Sequence, residues 1–204
     1  MMSGYPPQPW NLAGDAYLSV WTVPRASLPR VPTVVRPVTL RGHAIVVTAW
    51  IDYTEPGELS YHELLSTVAV HGGRTPTGTI TEIWVDSEVS LAGGRELWGI
   101  PKELATLEFS GGKAFTASAS AGDDWIATAA FSPRIGPPVG PPAAFAIAQS
   151  MSGTPLVTPV RSTGRPMLAS ASWNVNPNGP LGYLADRRPL FSAHLKDFRL
   201  RFGS

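Results

Sequence analysis

The chain has 204 residues, a formal net charge of +1, 15% charged residues and no cysteine. That length suits one domain with a hydrophobic core, read here as residues 1–204 because no polar linker divides it. The balanced charge argues against a nucleic-acid partner or a membrane surface, and the missing cysteines exclude disulfides, thiolate nucleophiles and cysteine-based zinc sites. No run reaches the roughly 18 apolar residues of a membrane-spanning helix. Met1 to Trp10 is rich in proline and lacks the apolar core of a secretory signal, so a soluble cytoplasmic protein is expected.

Twenty-one prolines and twenty glycines cut the chain into short pieces, which favours strands and turns over helices. His43 to Tyr53 (HAIVVTAWIDY) reads as a buried strand, and Ser60 to Val70 as another. From Thr81 to Leu91 the residues alternate. Thr81, Ile83 and Val85 fall on one face of a strand, and Glu82, Trp84 and Asp86 on the other. Gly93-Gly94 then predicts a turn or bulge. Leu104 to Phe109 and Lys113 to Ser120 flank Gly111-Gly112 and predict a hairpin, which Asp124 to Phe131 extends. Pro133 to Pro142 reads as a loop. Ala143 to Met151 (AAFAIAQSM) has strong helix formers, with Pro141 and Pro142 before it and Gly153 to stop it, and predicts a helix packed on the sheet. Pro155 to Arg161, Met167 to Trp173 and Ser192 to Phe202 complete the strands. The expected fold is mainly β (α+β), a closed or strongly curled antiparallel sheet with one or two helices.

The segment with chemical content is Gly94 to Leu104, GRELWGIPKEL. Lys102 is one of only three lysines, with Lys113 and Lys196. It follows an apolar lead-in, Trp98-Gly99-Ile100, and Pro101, which fixes its own φ and holds Ile100 extended. An ammonium is not a nucleophile. A desolvated lysine can give up its proton, attack a carbonyl and form an imine, whose iminium is an electron sink for breaking an adjacent C–C bond. Taken alone, a lysine in a turn reads as a solvating surface residue.

GRELWGIPKEL resembles the signature of the acetoacetate decarboxylase-like family, in which Gly-Arg-Glu precedes an apolar turn and then Pro-Lys. The resemblance implies that Lys102 is the Schiff-base residue. It extends upstream to Tyr61-His62-Glu63, where Glu63 falls at the family's spacing from the lysine and takes the place of its pocket glutamate, a candidate general acid/base. It also touches Leu181 to Phe202. The implied fold is an acetoacetate decarboxylase-like curled or closed β-barrel. The implied function is a lyase acting on a small keto acid, ketone or aldehyde, by decarboxylation or by aldol-type chemistry with dehydration. The resemblance further implies a homo-oligomer and neither a metal nor an organic cofactor. Arg95 and Glu96 are expected to brace the lysine turn; Trp84, Trp98 and Ile100 are candidates for the pocket wall.

Two positions depart from the family pattern. Glu103 stands where the decarboxylase has a second lysine, and adjacent strand residues face opposite ways, so Glu103 is expected outside the pocket. Gly14 or Asp15 stands where it has a pocket arginine, with Arg25 and Arg30 offset. The four histidines, His43, His62, His71 and His194, show no HxH or HExxH spacing, and neither a GxSxG elbow, a Walker A loop nor a GxGxxG fingerprint occurs. The rival reading is a non-catalytic binding module holding an apolar or keto ligand, with Lys102 charged and inert.

Overall fold

The computed structural model describes residues 4–112, 114–134, 136–137 and 139–204. In chain order the elements are β1 (Trp10–Pro24), β2 (Thr39–Leu40), β3 (His43–Tyr53), β4 (Tyr61–Val70), β5 (Thr77–Val85), α1 (Glu88–Trp98), β6 (Lys102–Leu104), β7 (Thr106–Ser110), β8 (Phe115–Ala121), β9 (Asp124–Pro133), β10 (Ala143–Met151), β11 (Thr154–Val175) and β12 (Phe191–Phe202). The sheet runs β10-β5-β4-β3-β1-β12-β11-β9-β8-β7. It curls until β10 also pairs with β11, so that the run from β10 to β11 closes on itself. The closure is uneven. β10 pairs along its whole length with the first part of β11, Thr154 to Ser162, whereas it meets β5 only at Ala146↔Thr77 and Ile147↔Gly78, in parallel. The result is a curled sheet, not a regular barrel.

Side-chain alternation divides the interior in two. On β3, Val46 and Trp50 join a core with Trp21, Trp84, Phe115 and Phe131, between the outer face of the curl and the β7–β8–β9 extension. Ala49, Ile51 and Tyr53 point the other way, into a second cluster with Trp10, Ile83, Trp98 and Phe198 inside the curl. Burial on both faces explains why β3 is a nearly continuous apolar run.

Four expectations need correction. Ala143 to Met151 is strand β10, not a helix. Ser152 and Gly153 both have positive φ, 51° and 83°, and they join β10 to β11 as a two-residue hairpin with Met151 opposite Thr154. The glycine read as a helix stop therefore serves a hairpin turn, and ladder pairing overrides the helix propensity of the alanines. The strand from Thr81 ends at Val85, and Ser87 caps α1 by accepting from the Ser90 N–H. Gly93-Gly94 is no turn and lies inside that helix. Pro155 to Arg161 and Met167 to Trp173 belong to one strand, β11, whose register with β12 shifts between Thr163 and Arg165. The Gly111-Gly112 hairpin forms between β7 and β8; Lys113, the expected start of its second strand, lies outside the described residues. Among those described, no helix is long and apolar enough to cross a membrane.

Candidate active site

The signature segment forms the end of α1 and the start of β6. Gly99, left-handed at φ 63°, ends the helix. Ile100 and Pro101 then lead into β6, which pairs in parallel with β5 and sets Lys102 beside Ile83. The Arg95 Nε donates to the Lys102 carbonyl at 2.7 Å, tying the helix to the lysine's backbone. Two glycines inside a helix cost roughly 1 kcal/mol each relative to alanine, and packing accounts for both. A Cβ on Gly94 would lie 2.7 Å from Lys102 Cδ and 2.8 Å from Cε, and one on Gly93 would lie 2.4 Å from the Trp10 ring. The Lys102 stem therefore crosses bare helix backbone.

Lys102 is 4% exposed and Glu63 3%. The Lys102 Nζ donates to Glu63 Oε2 at 2.8 Å, to Ser90 Oγ at 2.8 Å and to the Tyr61 hydroxyl at 3.2 Å. Three acceptors match the three hydrogens of an ammonium. The Tyr53 and Tyr61 hydroxyls donate to Glu63 Oε1 and Oε2, each at 3.3 Å. Their rings stack with centroids 4.5 Å apart. Burial, reinforced by the Glu63 charge, holds both phenols well above their ordinary pKa, so both remain neutral donors. Glu63 sits on β4, opposite Ile51 of β3 and Val85 of β5, and neighbouring His62 faces away, bonded to Asp86 at 2.7 Å.

Lys102, Glu63, Tyr53 and Tyr61 line a cavity of about 490 Å³ inside the curl. Aliphatic and aromatic side chains make up most of its wall, among them Leu18, Leu65, Ile80, Phe145, Ile147 and Phe198. Among the described residues, no three His, Asp or Glu side chains are grouped to hold a metal ion.

The structure brings Lys102 and Glu63 together and places Trp98 and Ile100 in the cavity wall. Trp84 is a correction. It alternates with Ile83 and packs into the opposite core, because the period of the strand turns it away from the curl's interior. Arg95 reaches the lysine's backbone, whereas Glu96 is exposed and accepts from the Tyr5 hydroxyl at 2.6 Å, anchoring the N-terminal segment to α1. Glu103 is exposed on β6 and does not line the cavity. Asp15 bonds His194 Nε2 at 2.8 Å. Sequence reasoning missed Ser90, Tyr53 and Tyr61. Ser90 lay in a stretch read as strand, so its presentation by α1 was hidden. The tyrosines gave a partial signal, since Tyr61 shares a cavity-facing parity with Glu63.

A family model described as acetoacetate decarboxylase matches residues 3–167, and the chain belongs to that family. Acetoacetate decarboxylases of Burkholderia multivorans and Burkholderia lata are each 37% identical to it over 59 residues, 29% of this chain. The matched stretch spans 21% of either relative's length. The enduracididine biosynthesis enzyme MppR with HEPES buffer bound superposes with a TM-score of 0.71 and 19% identity, over 100% of this chain and 88% of that one. MppR in complex with the condensation product of pyruvate and imidazole 4-carboxaldehyde gives 0.69 and 19%, over 100% and 90%. Acetoacetate decarboxylase from Legionella pneumophila subsp. pneumophila str. Philadelphia 1 gives 0.71 and 17%, over 99% and 88%. At these identities the likeness is one of fold.

Proposed function

We propose that the protein is a lyase that forms an imine between Lys102 and a carbonyl substrate, with Glu63 as its proton shuttle. The carrying observation is the buried Nζ, 2.8 Å from Glu63 Oε2, in the wall of the apolar cavity. Glu63 takes a proton from the ammonium, and the freed amine adds to the carbonyl carbon. Glu63 then protonates the carbinolamine oxygen, which leaves as water. Overall, ammonium and carbonyl become iminium and one water. The carboxylate, held by two tyrosine hydroxyls, balances the iminium charge. An electron pair from an adjacent C–C or C–H bond can then flow into the iminium. Decarboxylation and aldol-type cleavage or addition share this step. Family membership supports the first, and the condensation product seen in MppR supports the second.

One observation favours a binding module instead: the Lys102 ammonium is fully hydrogen-bonded, as an inert ion pair would be. Borohydride trapping decides between them. Incubation with keto acids, ketones and aldehydes followed by borohydride should fix mass on Lys102, identified by peptide mapping among three lysines. Labelling spread evenly over the lysines would mark ordinary amine reactivity and support the binding module.

A further inference from the structure

Among the described residues, the cavity has one cationic side chain in its wall, Lys102, and one anionic side chain, Glu63, and these neutralise each other. No arginine or histidine among the described residues lines it. The arginine nearest in sequence, Arg95, is turned to the Lys102 carbonyl. A substrate carboxylate entering here would add a second negative charge against one positive charge, in walls that cannot solvate it. The iminium does not relieve the imbalance, because it only replaces the ammonium charge that Glu63 already matches. The volume of about 490 Å³ falls within the range that holds ligands of drug size, and a four-carbon acid would leave most of the apolar wall in contact with water. Away from Lys102 the hydroxyl-bearing residues of the wall include Thr67, Thr77 and Ser162, all uncharged.

We propose that the substrate is an uncharged ketone or aldehyde with a medium-length apolar body, and that the enamine at Lys102 forms by loss of a proton from the adjacent carbon rather than by loss of carbon dioxide. The inference rests on the imine reading above. With the iminium formed, Glu63 removes a proton from the adjacent carbon. The C–H electron pair becomes the enamine double bond, and the former π pair returns to nitrogen. The enamine carbon then attacks an aldehyde carbon, whose oxygen takes the proton from Glu63. Water finally hydrolyses the iminium, releases the product and restores the ammonium. No oxidant, reductant or metal enters the balance.

The test uses the full chain and a panel of acetoacetate, pyruvate, acetone, methyl heptyl ketone and octanal. Cyanoborohydride trapping at Lys102 is measured as a function of concentration by peptide mass mapping. Half-saturation for methyl heptyl ketone and octanal is expected at concentrations at least about tenfold below those for acetone and acetoacetate, a difference of roughly 1.4 kcal/mol. In deuterated water, the protein should also exchange the α-hydrogens of methyl heptyl ketone faster than those of acetone at equal concentration. Saturation by acetoacetate or pyruvate at equal or lower concentration than methyl heptyl ketone would overturn the substrate class and leave the imine intact. No adduct on Lys102 with any probe would overturn the imine itself.

Discussion

Lys102 and Glu63 each supply the other's buried counter-charge, so removing one strands the other. Lys102→Ala leaves a buried carboxylate with only two long tyrosine hydrogen bonds, and should cost about 3–5 kcal/mol of stability. The double variant Lys102→Met with Glu63→Gln removes both charges and keeps an acceptor for the tyrosines. It should recover most of that loss in urea titrations while abolishing trapping. Equal destabilisation in both variants would mean that the charge pair is not the cause. A second residue-scale expectation concerns Glu82. Its carboxylate accepts from Thr81 at 2.6 Å and Tyr183 at 3.0 Å, yet burial raises its pKa above the ordinary range. The folded state then binds the proton more tightly than the unfolded state. Stability attributable to this group is present at low pH and lost as pH rises from the ordinary glutamate range through the raised folded value. Glu82→Gln should remove that component, so its stability relative to the parent should grow across this window and level off above it. A difference that stays flat with pH would refute the assignment. The contact between Lys102 and Glu63 was legible only through the family resemblance, because the Pro-Lys turn taken alone reads as an exposed lysine. Ser90 and the two tyrosines were not, because their roles exist only once α1 lies over the end of the curl.

At the scale of elements, α1 and β6 act as one device. Gly94→Ala would gain about 1 kcal/mol of helix propensity, but its methyl group would meet the Lys102 stem. The expected outcome is a protein of near-parent melting temperature whose Lys102 trapping falls at least about tenfold; undiminished trapping would show that the stem has room to move. On β6, Glu103 faces out, so Glu103→Lys should change the trapping rate by less than about tenfold, equivalent to 1.4 kcal/mol. The elements missed from sequence share a cause. Helix propensity mispredicts β10, since a two-residue turn of positive φ commits it to the β11 ladder. Glycine content mispredicts α1, since its glycines answer to the Trp10 ring and the Lys102 stem, two partners distant in the chain or outside the helix. Among the strands that read correctly, β3 carries its two-faced burial in its own composition.

At the scale of the whole molecule, the curl is held by long antiparallel ladders except where β10 meets β5 through two residue pairs. Stability is not uniform in such a structure, and the weakest ladder opens first. Hydrogen exchange should find amides at Thr77, Gly78, Ala146 and Ile147 less protected than those in the middle of β1 and β3. Equal protection would mean that the curl opens only by global unfolding. Mainly β character and curling were legible from turn density and the family resemblance. The closing pair was not, because a parallel contact between strands so far apart in the chain leaves no local pattern.

That seam borders the cavity: Pro76, Thr77, Gly78, Phe145 and Ile147 line it from either side, with Pro76 exposed. A molecule that enters between these two strands would have to wait for them to part. Its capture by Lys102 would obey a clock belonging to the protein, with the observed rate rising with concentration and then reaching a ceiling. A slender ketone of the same chemistry would show no such ceiling at that rate. Stopped-flow measurements on the two shapes, set beside the exchange rates of the seam amides, would show whether the weakest ladder in the sheet is also the doorway's hinge.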